Sequence, residues 1–121
     1  MSLYDLKKME ANAKRTALEE HFLRDIKAIG LPIPEREFQF CEDRKYRADF
    51  AYPERNILIE IQGGTWSKSR LGHSTGTGIK RDCEKSNLAQ KLGFMVFKFT
   101  SDMVKRGEAV RFIEEVLKSS E

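Results

Sequence analysis

The stretch from Tyr46 to Gln62, YRADFAYPERNILIEIQ, most constrains what this chain can fold into. Two apolar runs, Tyr46 to Tyr52 and Asn56 to Gln62, meet at Pro53-Glu54-Arg55-Asn56. Proline pre-sets φ and asparagine tolerates the left-handed region, so these residues favour a turn and the whole reads as a β-hairpin. Strand side chains alternate faces, so Leu58, Glu60 and Gln62 project together while Ile57, Ile59 and Ile61 cover the other side. A turn over Pro53 to Asn56 pairs Tyr52 with Ile57 and places Asp49 opposite Glu60, with Cβ atoms about 5 Å apart.

Two carboxylates at that distance in a partly dry site repel and lose hydration, so the pair must hold a proton or bind a cation. A divalent ion resolves both costs, and oxygen ligands suit Mg²⁺ or Mn²⁺. The other reading is that Glu60 pairs with a neighbouring Arg or Lys and does no chemistry.

Upstream, Tyr4 to Ile29 holds strong helix formers, with Leu18, Phe22, Leu23, Ile26 and Ile29 forming one stripe before Gly30 ends the run. Glu19 falls inside that stripe and Glu20 outside it. Glu19 is thus placed to supply a third ligand or orient a metal water, or else to reach solvent from the stripe's edge. Glu37 to Cys41 reads as a further strand, Ile79 to Leu92 as a helix closed by Gly93, and Phe94 to Thr100 as a strand buried on both faces. A last helix covers Glu108 to Lys118. The order αβββαβα, with a strand following a helical crossover, predicts an α/β fold: one domain over residues 1 to 121, with a mixed sheet of about four strands flanked by helices.

From the loop Gly63 to Gly78 into the start of the next helix, Gly63 to Arg81 carries Lys68, Arg70, Lys80 and Arg81, no acid, and also Trp66 and His73. Glycines permit close approach of backbone amides to phosphates, cations neutralise them, and Trp66 can stack on a base. The stretch reads as a substrate-gripping loop, or as a solvated insertion whose Trp66 packs on the core. It fits neither the P-loop nor the dinucleotide fingerprint. His21, near the polar face of the first helix, reads as a surface residue. The net charge of +3, from 22 basic and 19 acidic residues, permits a polyanionic partner without demanding one. Cys41 and Cys83 lie far apart without zinc-ligand spacing and read as reduced thiols, no run reaches the roughly 20 apolar residues of a membrane span, and a cytoplasmic location is expected.

The pattern of Asp49, ten residues, then Glu60-Ile61-Gln62 resembles the PD-(D/E)XK nuclease superfamily, with its restriction-endonuclease-like core. The chain looks most like small endonucleases related to very-short-patch-repair enzymes and phage proteins, over LEEHFLRDIKAIGLP, RKYRADFAYPERNILIEIQGGTW and DCEKSNLAQKLGFMVFKFTSDMV. The resemblance implies a DNA endonuclease in which Asp49 and Glu60 bind Mg²⁺ with the Ile61 carbonyl, and in which Glu19 matches the acid many members carry on the first helix. Ala48 stands where the name-giving proline would be, and Gln62 where most members have lysine. Another cation must then stand near the attacking water, or the metal acts by itself. Lys85, Lys98 and His73 are the candidates. Lys85 is favoured, because related members carry a basic residue at its spacing from an acid, here Asp82, which is expected to line the cleft with it. A surface pair with Asp82 as a favourable helix N-terminal charge is the other reading. Two further functions stay open: a structure-selective junction resolvase, which needs a homodimer, and a DNA-binding module of the same fold without catalysis. So short a chain leaves little room for sequence recognition, so weak preference or an accessory protein partner is expected.

Overall fold

A computed structural model describes residues 1–62 and 76–119. The elements in chain order are helix α1 (Leu3–Ala28), strands β1 (Glu35–Cys41), β2 (Tyr46–Tyr52) and β3 (Ile57–Gln62), helix α2 (Gly76–Lys91), strand β4 (Met95–Thr100), and helices α3 (Ser101–Lys105) and α4 (Glu108–Ser119). The chain forms two compact units, Met1–Ile33 with Phe99–Glu121, and Pro34–Lys98. No helix among the described residues is long and apolar enough to cross a membrane.

The sheet unit is built on the expected hairpin. The strands stand in the order β1-β2-β3-β4. β2 pairs antiparallel with β3 in the register Tyr52↔Ile57, Ala51↔Leu58 and Phe50↔Ile59. The turn is a single 3-10 turn over Pro53–Arg55, ended by Asn56 at φ 56°. β1 pairs antiparallel with the other edge of β2, with a bulge between Gln39 and Cys41. The Met95 amide at the start of β4 donates to the carbonyl of Asn56, which precedes β3 (2.8 Å), so these two strands begin side by side and run the same way. The sheet is therefore mixed, as a helical crossover requires.

Helix α2 packs on this sheet. Ala89 joins Ala48, Ala51 and Leu58 in a core flanked by Phe38, Phe40, Phe94 and Val96. Three of those four are alanines, which lets the helix backbone approach closely, and the phenylalanines fill the margins, with Phe94 edge-on to Phe38 (6.4 Å) and Phe40 (6.1 Å). Gly93 ends α2 at φ 97°, a left-handed conformation glycine adopts without a Cβ penalty, and the Gly93 and Phe94 amides return to the Gln90 and Ala89 carbonyls.

Two expectations need correcting here. Helix α2 starts at Gly76, one turn before Ile79, so part of the expected loop is helical. Strand β4 is not buried on both faces: Met95 is 44% exposed and Lys98 is also exposed, because β4 closes one end of the strand order.

The helical unit packs α1, α3 and α4 around Phe22, Ile26, Val104, Ile113 and Leu117, with Phe99 between the Phe22 and Phe112 rings. The α4 residues Ala109, Ile113 and Leu117 recur every four positions, which gives one apolar stripe. The buried residues of α1 are Leu18, Glu19, Phe22, Leu23 and Ile26. Ile29, expected in that stripe, is 44% exposed because it is the C-cap of a helix that Gly30 closes at φ 77°.

Candidate functional site

Asp49 lies in the middle of the central strand β2 and is only 8% exposed. Its Oδ2 accepts a hydrogen bond from the Ile61 amide of β3 (2.8 Å). The β2–β3 register runs to Phe50↔Ile59, and continuing it by one residue sets Asp49 opposite Glu60, the position that the sequence predicts. A charge-assisted bond of this kind is short and strong, and it holds the Asp49 carboxylate against the third strand. Ile61, expected to lend its carbonyl to a metal, thus has its N–H engaged by Asp49.

Glu60 is met from above by Lys85 of α2, whose Nζ lies 2.7 Å from Glu60 Oε2, with side chains 24% and 16% exposed respectively. The favoured lysine therefore stands at the strand that carries Glu60, one residue along from the amide that Asp49 takes. Its presumed companion does not. Asp82 is exposed: seven residues before Ala89 it shares that residue's side of α2, but it lies nearer the start of the helix. Gln62, at the end of β3, is exposed.

Sequence reasoning missed Glu37. In the β1–β2 register, Arg36 faces Phe50 and Phe38 faces Ala48, which puts Glu37 opposite Asp49. One carboxylate oxygen of each lies within 4.8 Å of the other. Glu37 also adopts φ 51°, a left-handed conformation that costs a residue with a Cβ about 1 kcal/mol. The only signal in the sequence was its even spacing from Gln39 and Cys41, and that says nothing about which residue lies across the strand.

Glu19, in the helical unit, is buried at 7% exposure, with Arg15 one turn away on α1 (3.7 Å), while Glu20 is exposed. The helical wheel separated these two adjacent acids correctly.

Of the expected substrate-binding residues, Trp66, Lys68, Arg70 and His73 lie outside the described residues. Lys80 and Arg81 sit on the first turns of α2 and are exposed. The Arg81 guanidinium lies 5.6 Å from the Tyr46 ring centroid, and Arg44 lies 5.1 Å from the same ring while donating to the Tyr46 hydroxyl (2.9 Å). A buried tyrosine at the start of β2 thus orders two guanidinium groups, and Arg44 also meets Glu84 at 3.8 Å. Lys98, the other candidate cation, is exposed on β4, and Cys41 and Cys83 are free thiols.

The donors gathered in the sheet unit are hard oxygens, carboxylates of Asp49 and Glu37, with Glu60 on the neighbouring strand. One divalent ion with bonds of about 2.1 Å spans oxygens up to about 4.2 Å apart, so the Glu37 and Asp49 oxygens are close to bridging distance. A donor set of carboxylate oxygens suits a hard cation rather than a soft metal. The chain matches no family model, no curated protein and no solved structure. The resemblance to the PD-(D/E)XK nucleases therefore stands on the residues that carry it.

Proposed function

We propose that this chain is a Mg²⁺- or Mn²⁺-dependent DNA endonuclease of the PD-(D/E)XK kind. The observation that carries the reading is the contact of Lys85 with Glu60, one residue along β3 from the amide that holds Asp49. It supplies a cation beside the paired acids in a chain whose motif has Gln62 in place of lysine.

Asp49 and Glu60 would hold the ion with the Ile61 carbonyl, and Glu37 adds a carboxylate that the motif did not include. A bound divalent ion supplies water activation and draws charge from the phosphoryl oxygens. The protein's own part is positional and electrostatic. The Ile61 amide fixes the Asp49 carboxylate, and the Lys85 ammonium offers positive charge where negative charge grows on the scissile phosphate. Arg44, Lys80 and Arg81 would neutralise neighbouring phosphates, with Lys68 and Arg70 given the same task from the sequence, Trp66 that of stacking on a base, and His73 a place beside them in the substrate-binding set. Glu19 enters through the resemblance, as the acid of the first helix.

The test is a cleavage assay on labelled duplex, nicked, branched and single-stranded DNA with Mg²⁺ or Mn²⁺, comparing the native chain with Asp49→Asn and Glu60→Gln. Metal-dependent cleavage lost in both variants supports the reading. Intact DNA in every lane with native protein rejects it.

A second reading, a DNA-binding module without catalysis, is favoured by the same ion pair, because Lys85 already compensates the charge of Glu60. The two readings part on metal affinity. Mg²⁺ should raise the melting temperature of a nuclease and leave that of a pure binder unchanged.

A further inference from the structure

Within the helical unit, the end of α1, the α3–α4 turn and the first turn of α4 enclose a shallow pocket of about 270 Å³. Its polar lining is His21 and Asp25 of α1, Lys105 and Arg106 at the end of α3, and Arg111 of α4, over a floor that includes the buried Val110. Three fixed cations thus share one concave surface with a single carboxylate. Asp25 is turned to its own helix neighbour, with His21 Nε2 3.4 Å from Asp25 Oδ2.

Like charges gathered in a concavity raise each other's energy, and the cost is relieved when an anion occupies the space between them. The arrangement is also partly ordered in advance. Arg111 donates from Nη2 to the Arg106 carbonyl (3.2 Å), which fixes the guanidinium across the turn with the rest of its five N–H donors still to be used. The start of the 12-residue helix α4 adds the positive end of its dipole on the same side of the turn. Guanidinium groups present paired N–H donors that match the oxygens of a phosphate, and a lysine ammonium serves as a point charge beside them.

We infer that this pocket binds a phosphoryl oxyanion. The inference stands apart from the nuclease reading, since it uses neither Asp49 nor Glu60. The phosphoryl group can come from a free phosphate or from a nucleic-acid backbone, and the experiment separates these sources.

The full chain is titrated without divalent metal with inorganic phosphate, and with chloride at matched ionic strength, while melting temperature and the His21 ring resonances are followed. Phosphate at ten times its dissociation constant should raise the melting temperature by about 5 °C, and His21 should shift along a saturable curve. Lys105→Gln with Arg106→Gln should abolish both responses. Lys7→Gln with Lys8→Gln, which removes the same charge from exposed positions about 20 Å away along α1, should keep them. If the first double variant does not fold, Arg111→Lys serves instead, with an affinity loss of about tenfold expected from the lost guanidinium geometry. A short DNA duplex is then added. Competition between duplex and phosphate assigns the pocket to backbone phosphate, and independent binding assigns it to a free phosphate. A response no larger than that to chloride, or one unchanged in the pocket variants, overturns the inference.

Discussion

Lys85 of α2 reaches Glu60 of β3 with 2.7 Å between Nζ and Oε2, in a contact largely withdrawn from solvent. A contact of this kind has two consequences that separate in experiment. As structure, it compensates a half-buried carboxylate, so Lys85→Met should destabilise the protein by about 1–3 kcal/mol. As chemistry, it supplies charge to the reacting phosphate, so the same variant should cleave about 100-fold more slowly. The double variant Glu60→Gln with Lys85→Met should recover most of the stability and none of the activity, as read by urea midpoints beside cleavage rates. Native-like cleavage by Lys85→Met would remove Lys85 from the mechanism.

Asp49 gives a sharper separation, because the Ile61 amide depends on it. Asp49→Ala leaves that N–H buried without its acceptor and should cost about 1–3 kcal/mol. Asp49→Asn keeps an oxygen acceptor at the same place and should stay within about 1 kcal/mol of native. Both should lose the Mg²⁺-dependent rise in melting temperature. Calorimetry with and without Mg²⁺ decides the point, and a rise preserved in Asp49→Asn would place the metal elsewhere.

Glu37 combines a left-handed backbone with a carboxylate near that of Asp49. Strain of that sort persists where the surroundings over-determine it, often at functional sites. Asparagine tolerates the left-handed region, and glycine is free of the Cβ penalty altogether. Glu37→Asn and Glu37→Gly should therefore both stabilise the metal-free protein, by about 0.5–1 kcal/mol, and both weaken its response to Mg²⁺. A site that tolerates either change with its Mg²⁺ response intact does not include Glu37.

The parts of this site that could be read in the sequence are those set by local periodicity. The turn at Pro53 to Asn56 fixed the β2–β3 register, and so the relation of Asp49 to β3. The helical period separated buried Glu19 from exposed Glu20. Glu37 was not legible, because its place opposite Asp49 depends on the β1–β2 connection and on a bulge that no residue in FQFCEDRKY announces. Composition also misled at β4: FMVFKFT reads as a buried strand, yet an end position in the sheet leaves Met95 and Lys98 exposed. Arg44 escaped notice since only the fold places it over Tyr46.

Tyr52 offers a prediction about stability that is independent of the metal. It closes β2 opposite Ile57 and is 1% exposed. Burial, with a smaller contribution from the charge of Glu54, pushes its pKa up to about 12 from an ordinary value of 10.0. The folded state therefore keeps the phenol proton where the unfolded chain has lost it. With fewer protons on the unfolded side, stability must fall as pH rises. The contribution is complete below pH 10 and is lost between pH 10 and about 12, a loss on the order of 2 kcal/mol. Lysines titrate in the same window, so the informative quantity is the difference between native protein and Tyr52→Phe. The variant has no phenol to ionise, and its urea midpoint should fall less steeply from pH 10 to 11.5 than that of the native chain. Parallel curves for the two proteins would mean that Tyr52 ionises as readily folded as unfolded, which its burial at the end of β2 argues against.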